Sequence, residues 1–417
     1  MAEIIKYPNG LRVVIENNPF VRSVAASIWV RTGSAMEDKS NNGISHFLEH
    51  VLFKGTDKMT AFDIANAFER KGASVNAFTS KELTCFYFKS IDSDVDSCFG
   101  VLSDIFFNSA FAQKELDSER NVVVEEINME DDSPEDICYD LLAKALYGDH
   151  SLGMTVLGPR ENVLAFNKPH LDEYIKNQYT AEGIAIVFVG NIDSRQADKI
   201  VKEHFLPFVS DKPQKSVVTK PNISVTAQTF IKDFKQSNLM FAYPSIAIGD
   251  TRTGTQAVLN TILGGCMGSR LFQNIREKKG LAYSVYSSPS RNSNSGSFNI
   301  ALNINSVNTQ KAINGVFEEV DLIVDKGVTA DELEMAKAQL RASVTFGQEN
   351  IQTIMLTLGK MLLLAGRVFD IDARLEEINA VTIDDVNAIA KETFKKKPAL
   401  AYVGLDAGID FDKVLSR

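Results

Sequence analysis

Residues 43–56 read GISHFLEHVLFKGT, a largely apolar stretch that nevertheless holds His46, Glu49 and His50. Only 5 histidines occur in 417 residues, so two of them four positions apart, with a carboxylate between, carry chemical content. The pattern predicts a helix over 43–54 that stops at Gly55. On it, positions 46 and 50 lie about 40° apart in projection, and position 49 about 60° to the other side of 46. The three side chains therefore share a face, while Leu48 and Val51 point away. Imidazoles at i and i+4 hold one divalent metal from neighbouring turns, and zinc is the usual choice for neutral nitrogen ligands. The intervening glutamate is suited to take a proton from water on such a metal. The order is HxxEH, the reverse of the commoner HExxH.

A catalytic zinc site needs one further protein ligand, usually a carboxylate in this setting. Seven of the twelve residues from 125 to 136 are acidic, and most of these read as a solvated helix end. Glu119 and Glu126 differ. They stand seven apart, two turns along one face of a helix predicted over 112–132, beside Val122 and Val123. An acid on a partly buried face calls for a cation as partner.

The elements around these residues repeat. Strands are expected near 4–16 and 23–32, a helix opened by a Thr60–Asp63 capping box and closed at Gly72, strands at 74–79 and 83–90, and helices near 93–108 and 112–132. After 209–222, a linker candidate with two prolines and three lysines, the order recurs: a strand at SNLMFAYPS, helices at 252–263 and 269–279, strands at 282–288 and 296–304, and helices at 307–325 and from Thr329. The chain thus reads as a duplicated α+β unit, each copy a mainly antiparallel sheet with helices packed on one face. The expected division is 1–208, linker 209–222, and 223–417.

At 44% hydrophobic and 24% charged residues the composition is that of a globular protein. A net charge of −10 argues against a general nucleic-acid binder and favours basic partners. The apolar run IMLTLGKMLLLAG is interrupted by Lys360 and is too short for a membrane span. The N-terminus enters strand-like sequence without a targeting pattern. The four scattered cysteines lack CxxC spacing and fit reduced thiols. The expectation is a cytoplasmic protein with no membrane or nucleic-acid partner.

With HFLEH and a glutamate 76 residues after its second histidine in view, the sequence resembles the pitrilysin-type zinc peptidases, especially short two-domain bacterial members similar to mitochondrial processing peptidase. The resemblance implies His46, His50 and Glu126 as ligands of one Zn2+ per chain, Glu49 as general base, and Glu119 as an acid that orients the site. GASVNAFTSKELTCF (72–86) resembles the family's substrate-pairing strand, with Asn76 and Ala77 facing substrate. GGCMGSRLFQNIREKKGLAYSV (264–285) resembles its C-terminal signature, with Arg276 holding substrate and Tyr283 at the scissile carbonyl. The bulky Cys266–Met267 pair departs from the small residues of that turn. The implied activity is zinc-dependent endoproteolysis of unfolded or extended, basic peptides in a closed dimer chamber. Arg276 and Tyr283 would act in trans, in a homodimer or in a heterodimer with a related subunit. The competing reading is a non-catalytic or heterodimer-requiring subunit of the same fold.

The second copy has lost the chemistry. Aligning LFKG with ILGG sets Gln256, Leu259 and Asn260 opposite His46, Glu49 and His50, and aligning Glu115–Leu116 with Glu332–Leu333 sets Ser343 opposite Glu126. Gly264, Gly265 and Gly268 lack the GK[ST] ending of a phosphate loop and read as a tight turn. His150, His170 and His204 read as helix-end or surface residues, and Trp29 as core.

Overall fold

A computed structural model of the protein describes residues 2–210, 212 and 218–416. The expected linker therefore falls partly on residues 211 and 213–217, outside the described residues. The chain forms two compact units. The first comprises Met1–Ile127, Thr155–Val218 and Gly347–Asp370, and the second Asn128–Met154, Thr219–Phe346 and Ile371–Arg417. These units are not a single cut of the chain near 208: each takes in a helical segment from the opposite side of that point.

The first unit contains strands β1 (Glu3–Lys6), β2 (Arg12–Asn17), β3 (Ser23–Val30), β4 (Ser74–Thr79), β5 (Thr84–Ile91) and β6 (Ile184–Gly190). Its helices are α1 (Ile44–Leu52), α2 (Ala61–Glu69), α3 (Val95–Asn108), most of α4 (Gln113–Asp131), α6 (Arg160–Ala165), α7 (Lys168–Gln178), α8 (Ser194–His204) and α12 (Ile351–Ala365). The second contains β7 (Ala227–Ile231), β8 (Ser237–Ser245), β9 (Ala282–Arg291), β10 (Gly296–Ile304) and β11 (Ala399–Gly404). With them go α5 (Pro134–Tyr147), α9 (Thr253–Leu263), α10 (Thr309–Lys326), α11 (Ala330–Gly347), α13 (Ile371–Ala380), α14 (Ile383–Phe394) and α15 (Phe411–Val414).

The first sheet has the order β1-β2-β6-β3-β5-β4 and the second β7-β11-β8-β10-β9. In each, one pair is parallel, β2 with β6 and β7 with β11, and the remaining pairs are antiparallel. The second sheet thus repeats the first without β1, which is the duplication expected from sequence. The strand orders leave β4 at one edge of the first sheet and β9 at the matching edge of the second, each paired on one side only.

Alternation along β3 decides what covers each face. Val24, Ala26, Ile28 and Val30 join the core built with α1, α2, α3 and α8. Ala25 and Trp29 point the other way, into a second cluster with Ile354, Met355, Leu358 and Leu362 of α12. The main helical layer lies on one face as expected, and a single apolar helix closes the other. This is the stretch interrupted by Lys360. In the second unit α5 takes the same role, with Cys138 Sγ 3.6 Å from the carbonyl oxygens of Asn238 and Ala401.

The Trp29 indole packs directly against the α12 backbone at Gly359. A β-carbon there would come within 2.2 Å of the indole nitrogen, on a ring 1% exposed and fixed by its bond to Ser27 Oγ. Gly359→Ala is expected to cost about 1–3 kcal/mol by overpacking. The measurement is a lowered melting temperature with unchanged zinc per folded molecule, and an unaltered melting temperature would contradict this packing.

Candidate metal centre

The centre is built on α1, so what fixes α1 fixes the chemistry. The helix begins at Gly43, whose φ of 98° is left-handed; a β-carbon there would lie 2.4 Å from the Leu157 carbonyl oxygen. The buried Glu37 carboxylate accepts the first free N–H groups of the helix, from Gly43 at 2.7 Å and Ser45 at 2.8 Å. A carboxylate at this end also suits the helix dipole. Ser45 Oγ is 2.7 Å from Tyr174 Oη, which is 2.8 Å from Thr32 Oγ1, so the first turn is tied to α7 and to the end of β3.

The second element is α4. Its buried stripe runs Leu116, Glu119, Val123, which continues one turn later to the half-exposed Glu126. The two glutamates thus share the face expected from their spacing, whereas Val122 points outward.

These helices bring His46, His50 and Glu126 together, with donor atoms all within 4.8 Å of one another. Glu126 Oε2 is 3.6 Å from His46 Nε2 and 3.3 Å from His50 Nε2. Donors about 2.1 Å from a tetrahedral zinc stand about 3.4 Å apart, so two imidazoles and a carboxylate at these separations fit zinc in both donor type and spacing. No other such group of histidine, cysteine and acidic residues occurs among the described residues.

The electrostatics divide the two histidines. His46 is buried, its Nδ1 without a hydrogen-bond partner. Desolvation, helped by the neighbouring His50, lowers its pKa to about 4 in the metal-free protein. Burial also opposes charge on His50, but hydrogen bonds to Glu119 and Glu126 outweigh it and raise its pKa to about 9. Glu119 Oε1 lies 2.9 Å from His50 Nδ1, and Glu119 Oε2 lies 2.6 Å from Lys54 Nζ.

Glu49 is on α1 but outside the donor group. Its Oε2 accepts from Thr79 Oγ1 at 2.8 Å, and burial raises its carboxyl pKa, with Thr79 and His50 pulling the other way. A carboxylate with raised pKa, aimed but not ligated, is equipped to accept a proton. Thr79→Val removes the aiming bond; kcat is expected to fall about tenfold, the order of one charge-assisted hydrogen bond. Zinc content should hold, and an unchanged kcat would mean Thr79 does not aim Glu49.

The other candidate residues are distributed as follows. Asn76 and Ala77 lie on the open-edged β4, and the Ala77 N–H is taken up by Asn76 Oδ1 at 2.8 Å. Arg276 and Tyr283 belong to the second unit. Arg276 is on a π-helix, Phe272–Lys278, where a plain helix was expected, with its guanidinium 4.7 Å from the Phe272 ring centre. Tyr283, 73% exposed, is on the open-edged β9. The residues opposite the ligands in the second copy make hydrogen bonds to neighbours instead: Gln256 donates to Ser245 Oγ and accepts from Arg291, and Asn260 Oδ1 accepts from Ser287. Gly264 and Gly265 form the expected tight turn, against Ser287 and Thr261. His150 caps a short turn and bonds Thr219, and His204 pairs with Asp96.

Three residues at the centre carried no expectation from sequence: Glu37, Thr79 and Lys54. Only Lys54 left a signal, since it extends the four-residue spacing of His46 and His50.

Residues 12–160 match the insulinase (peptidase family M16) family and residues 165–340 the peptidase M16 inactive domain. The uncharacterized zinc protease YmxG of Bacillus subtilis (strain 168) is 41% identical over 397 residues, covering 95% of this chain and 96% of its own. An uncharacterized zinc protease of Rickettsia felis is 34% identical over 403 residues, covering 96% and 97%. Among solved structures, a peptidase M16 inactive domain from Pseudomonas fluorescens has a TM-score of 0.90 at 20% identity, covering 97% of this chain and 98% of its own. A protease from Helicobacter pylori has a TM-score of 0.88 at 19% identity, covering 97% and 99%. At those identities the two structures speak for the fold alone.

Proposed function

The chain belongs to the insulinase-type peptidase family M16 and is a zinc metallopeptidase, and from that premise we propose that it is an endopeptidase acting on extended peptides paired with the open edge of β4. The observation that carries this reading is a metal-spaced donor set with Glu49 on the same helix, outside the set and aimed by Thr79.

His46, His50 and Glu126 would hold a single zinc ion per chain. When bound, zinc supplies Lewis acidity that polarises a scissile carbonyl and acidifies water. Glu49 takes the proton of the attacking water and delivers it to the leaving amine. Glu119 accepts a hydrogen bond from His50 Nδ1–H, which fixes the tautomer and leaves Nε2 for the metal. On β4, a substrate strand would replace the Asn76 side chain at the Ala77 N–H and gain main-chain bonds with little sequence demand.

Arg276 and Tyr283 would hold substrate and stabilise the developing oxyanion, contributed in trans within a homodimer that encloses a chamber. A net charge of −10 favours basic peptides. Among the described residues no helix is long and apolar enough to cross a membrane, and the proposed setting is the cytoplasm, where the four free cysteines stay reduced.

The test is turnover of a quenched-fluorescent basic peptide by the purified chain, before and after chelation and zinc re-addition, beside its mass by light scattering. Cleavage that chelation abolishes and zinc restores, in a particle of twice the chain mass, is the expected result. A zinc-loaded homodimer that cleaves no peptide would overturn it in favour of a non-catalytic subunit, and activity only with an added related chain would replace the homodimer with a heterodimer.

A further inference from the structure

His46 and His50 of α1, and Lys54 just past its end, stand at four-residue steps. The helix proper ends at Leu52, and Gly55, with φ of 130°, turns the chain away directly after Lys54. Lys54 is held at this exit by its own N–H, which donates to the Val51 carbonyl at 3.2 Å. Its ammonium does not run out to water but reaches Glu119 Oε2 at 2.6 Å, while Glu119 Oε1 faces His50 Nδ1 at 2.9 Å. The Glu119 side chain is only 4% exposed, and that of Lys54 is 33%.

We propose that Lys54 is a positioning residue for the metal centre, holding the buried Glu119 carboxylate in the orientation that accepts a hydrogen bond from His50 Nδ1–H and leaves His50 Nε2 for zinc. The inference rests on the zinc-site reading above and adds a role that the motif itself does not contain. The physical need is specific. A neutral His50, the form that ligates a metal, offers Glu119 a hydrogen bond but no charge, and a carboxylate this deeply buried requires a cation of its own. Lys54 is the side chain that supplies it. Each Glu119 oxygen then has one assigned partner, and with both filled the carboxylate has no freedom to rotate away from the imidazole. The other charged groups at the centre, Glu126 against the Nε2 atoms of both histidines and Glu49 bonded to Thr79, are carboxylates and cannot substitute for the Lys54 ammonium.

Zinc affinity of the metal-free full chain, read by competition with a fluorescent chelator, tests this without reference to activity. Lys54→Met is expected to weaken zinc binding about tenfold or more, the range found when an outer partner of a metal-ligating histidine is lost. Lys54→Arg should recover most of that loss, and Lys54→Met should add little to a Glu119→Gln background. Melting of each metal-free variant is followed in parallel. A folded Lys54→Met with zinc affinity within about twofold of the parent would overturn the proposal, even with a lower melting temperature, because that is the signature of an ion pair serving stability alone. If Lys54→Met does not fold, the decision passes to Lys54→Gln on the same criterion. Failure of the parent chain to bind zinc would sink the zinc-site reading as well, which keeps the two failures distinct.

Discussion

Glu49→Gln is expected to lower kcat by about 10²–10⁴-fold, the contribution of a positioned general base, while zinc per chain stays at the parent level. Glutamine keeps the size of the side chain and an oxygen for Thr79 Oγ1, which in the parent donates to Glu49 Oε2 at 2.8 Å. Glu49 is also absent from the group of donors that converge on one point. The substitution therefore removes the proton acceptor and little else. Metal analysis beside single-turnover cleavage of a fluorogenic peptide makes the comparison. Full turnover with zinc bound would place the base elsewhere, and loss of zinc would put Glu49 in the ligand set.

The second large effect is a pH dependence of zinc binding with its sign set by His50. In the metal-free protein His50 has its pKa raised to about 9, so throughout the neutral range zinc must displace a proton from it. His46, lowered to about 4, is already neutral and contributes nothing to this slope. Zinc affinity should consequently fall about tenfold for each pH unit below about 9 and level off above it, with about one proton released per ion bound. The metal-free protein runs the other way. Because the His50 pKa is higher folded than unfolded, near 6.5, its contribution to stability is complete below about pH 6.5 and disappears as pH rises through about 9. Zinc should thus raise the melting temperature far more at pH 8.5 than at pH 6. Isothermal titration in two buffers of different ionisation enthalpy counts the protons, and a pH-independent affinity would mean that zinc displaces no proton from His50.

What was legible in the sequence follows from how local each signal is. The metal-spaced grouping on α1 was readable because two histidines and a glutamate on one face of an apolar helix are chemically rare, and the shared face of Glu119 and Glu126 because seven residues make two turns of one helix. The Thr60–Asp63 capping box holds in full, each partner bonding the other's backbone. Thr79 and Glu37 were invisible for the opposite reason. Thr79 meets Glu49 only because β4 passes under α1, and Glu37 caps that helix from an irregular segment outside any motif. The sheets illustrate the same limit. The period-2 run of β3 signals two buried faces, yet nothing in it says that the second face is covered by residues more than three hundred positions later. The helix expected over 269–279 was found as a π-helix at Phe272–Lys278, since apolar periodicity does not separate the two.

That covering helix has a consequence for the order in which the protein can be made. The strands of the first sheet and the metal-spaced residues His46, His50 and Glu126 are all synthesised by Gly190, but the cluster that buries Trp29, Ala25 and Val187 is completed only by Ile354, Met355 and Leu358 of α12. Chains emerge from the ribosome N-terminus first, at about 5–20 residues per second. For tens of seconds at the slower of those rates, the nascent first unit therefore presents one bare apolar sheet face, and its closure waits for the arrival of α12. A metal-spaced group complete in sequence by Glu126 is thereby bound to a structure that is closed only when α12 has been made, and fragments stopping short of α12 are expected to reach the aggregation pathway before they reach a stable fold.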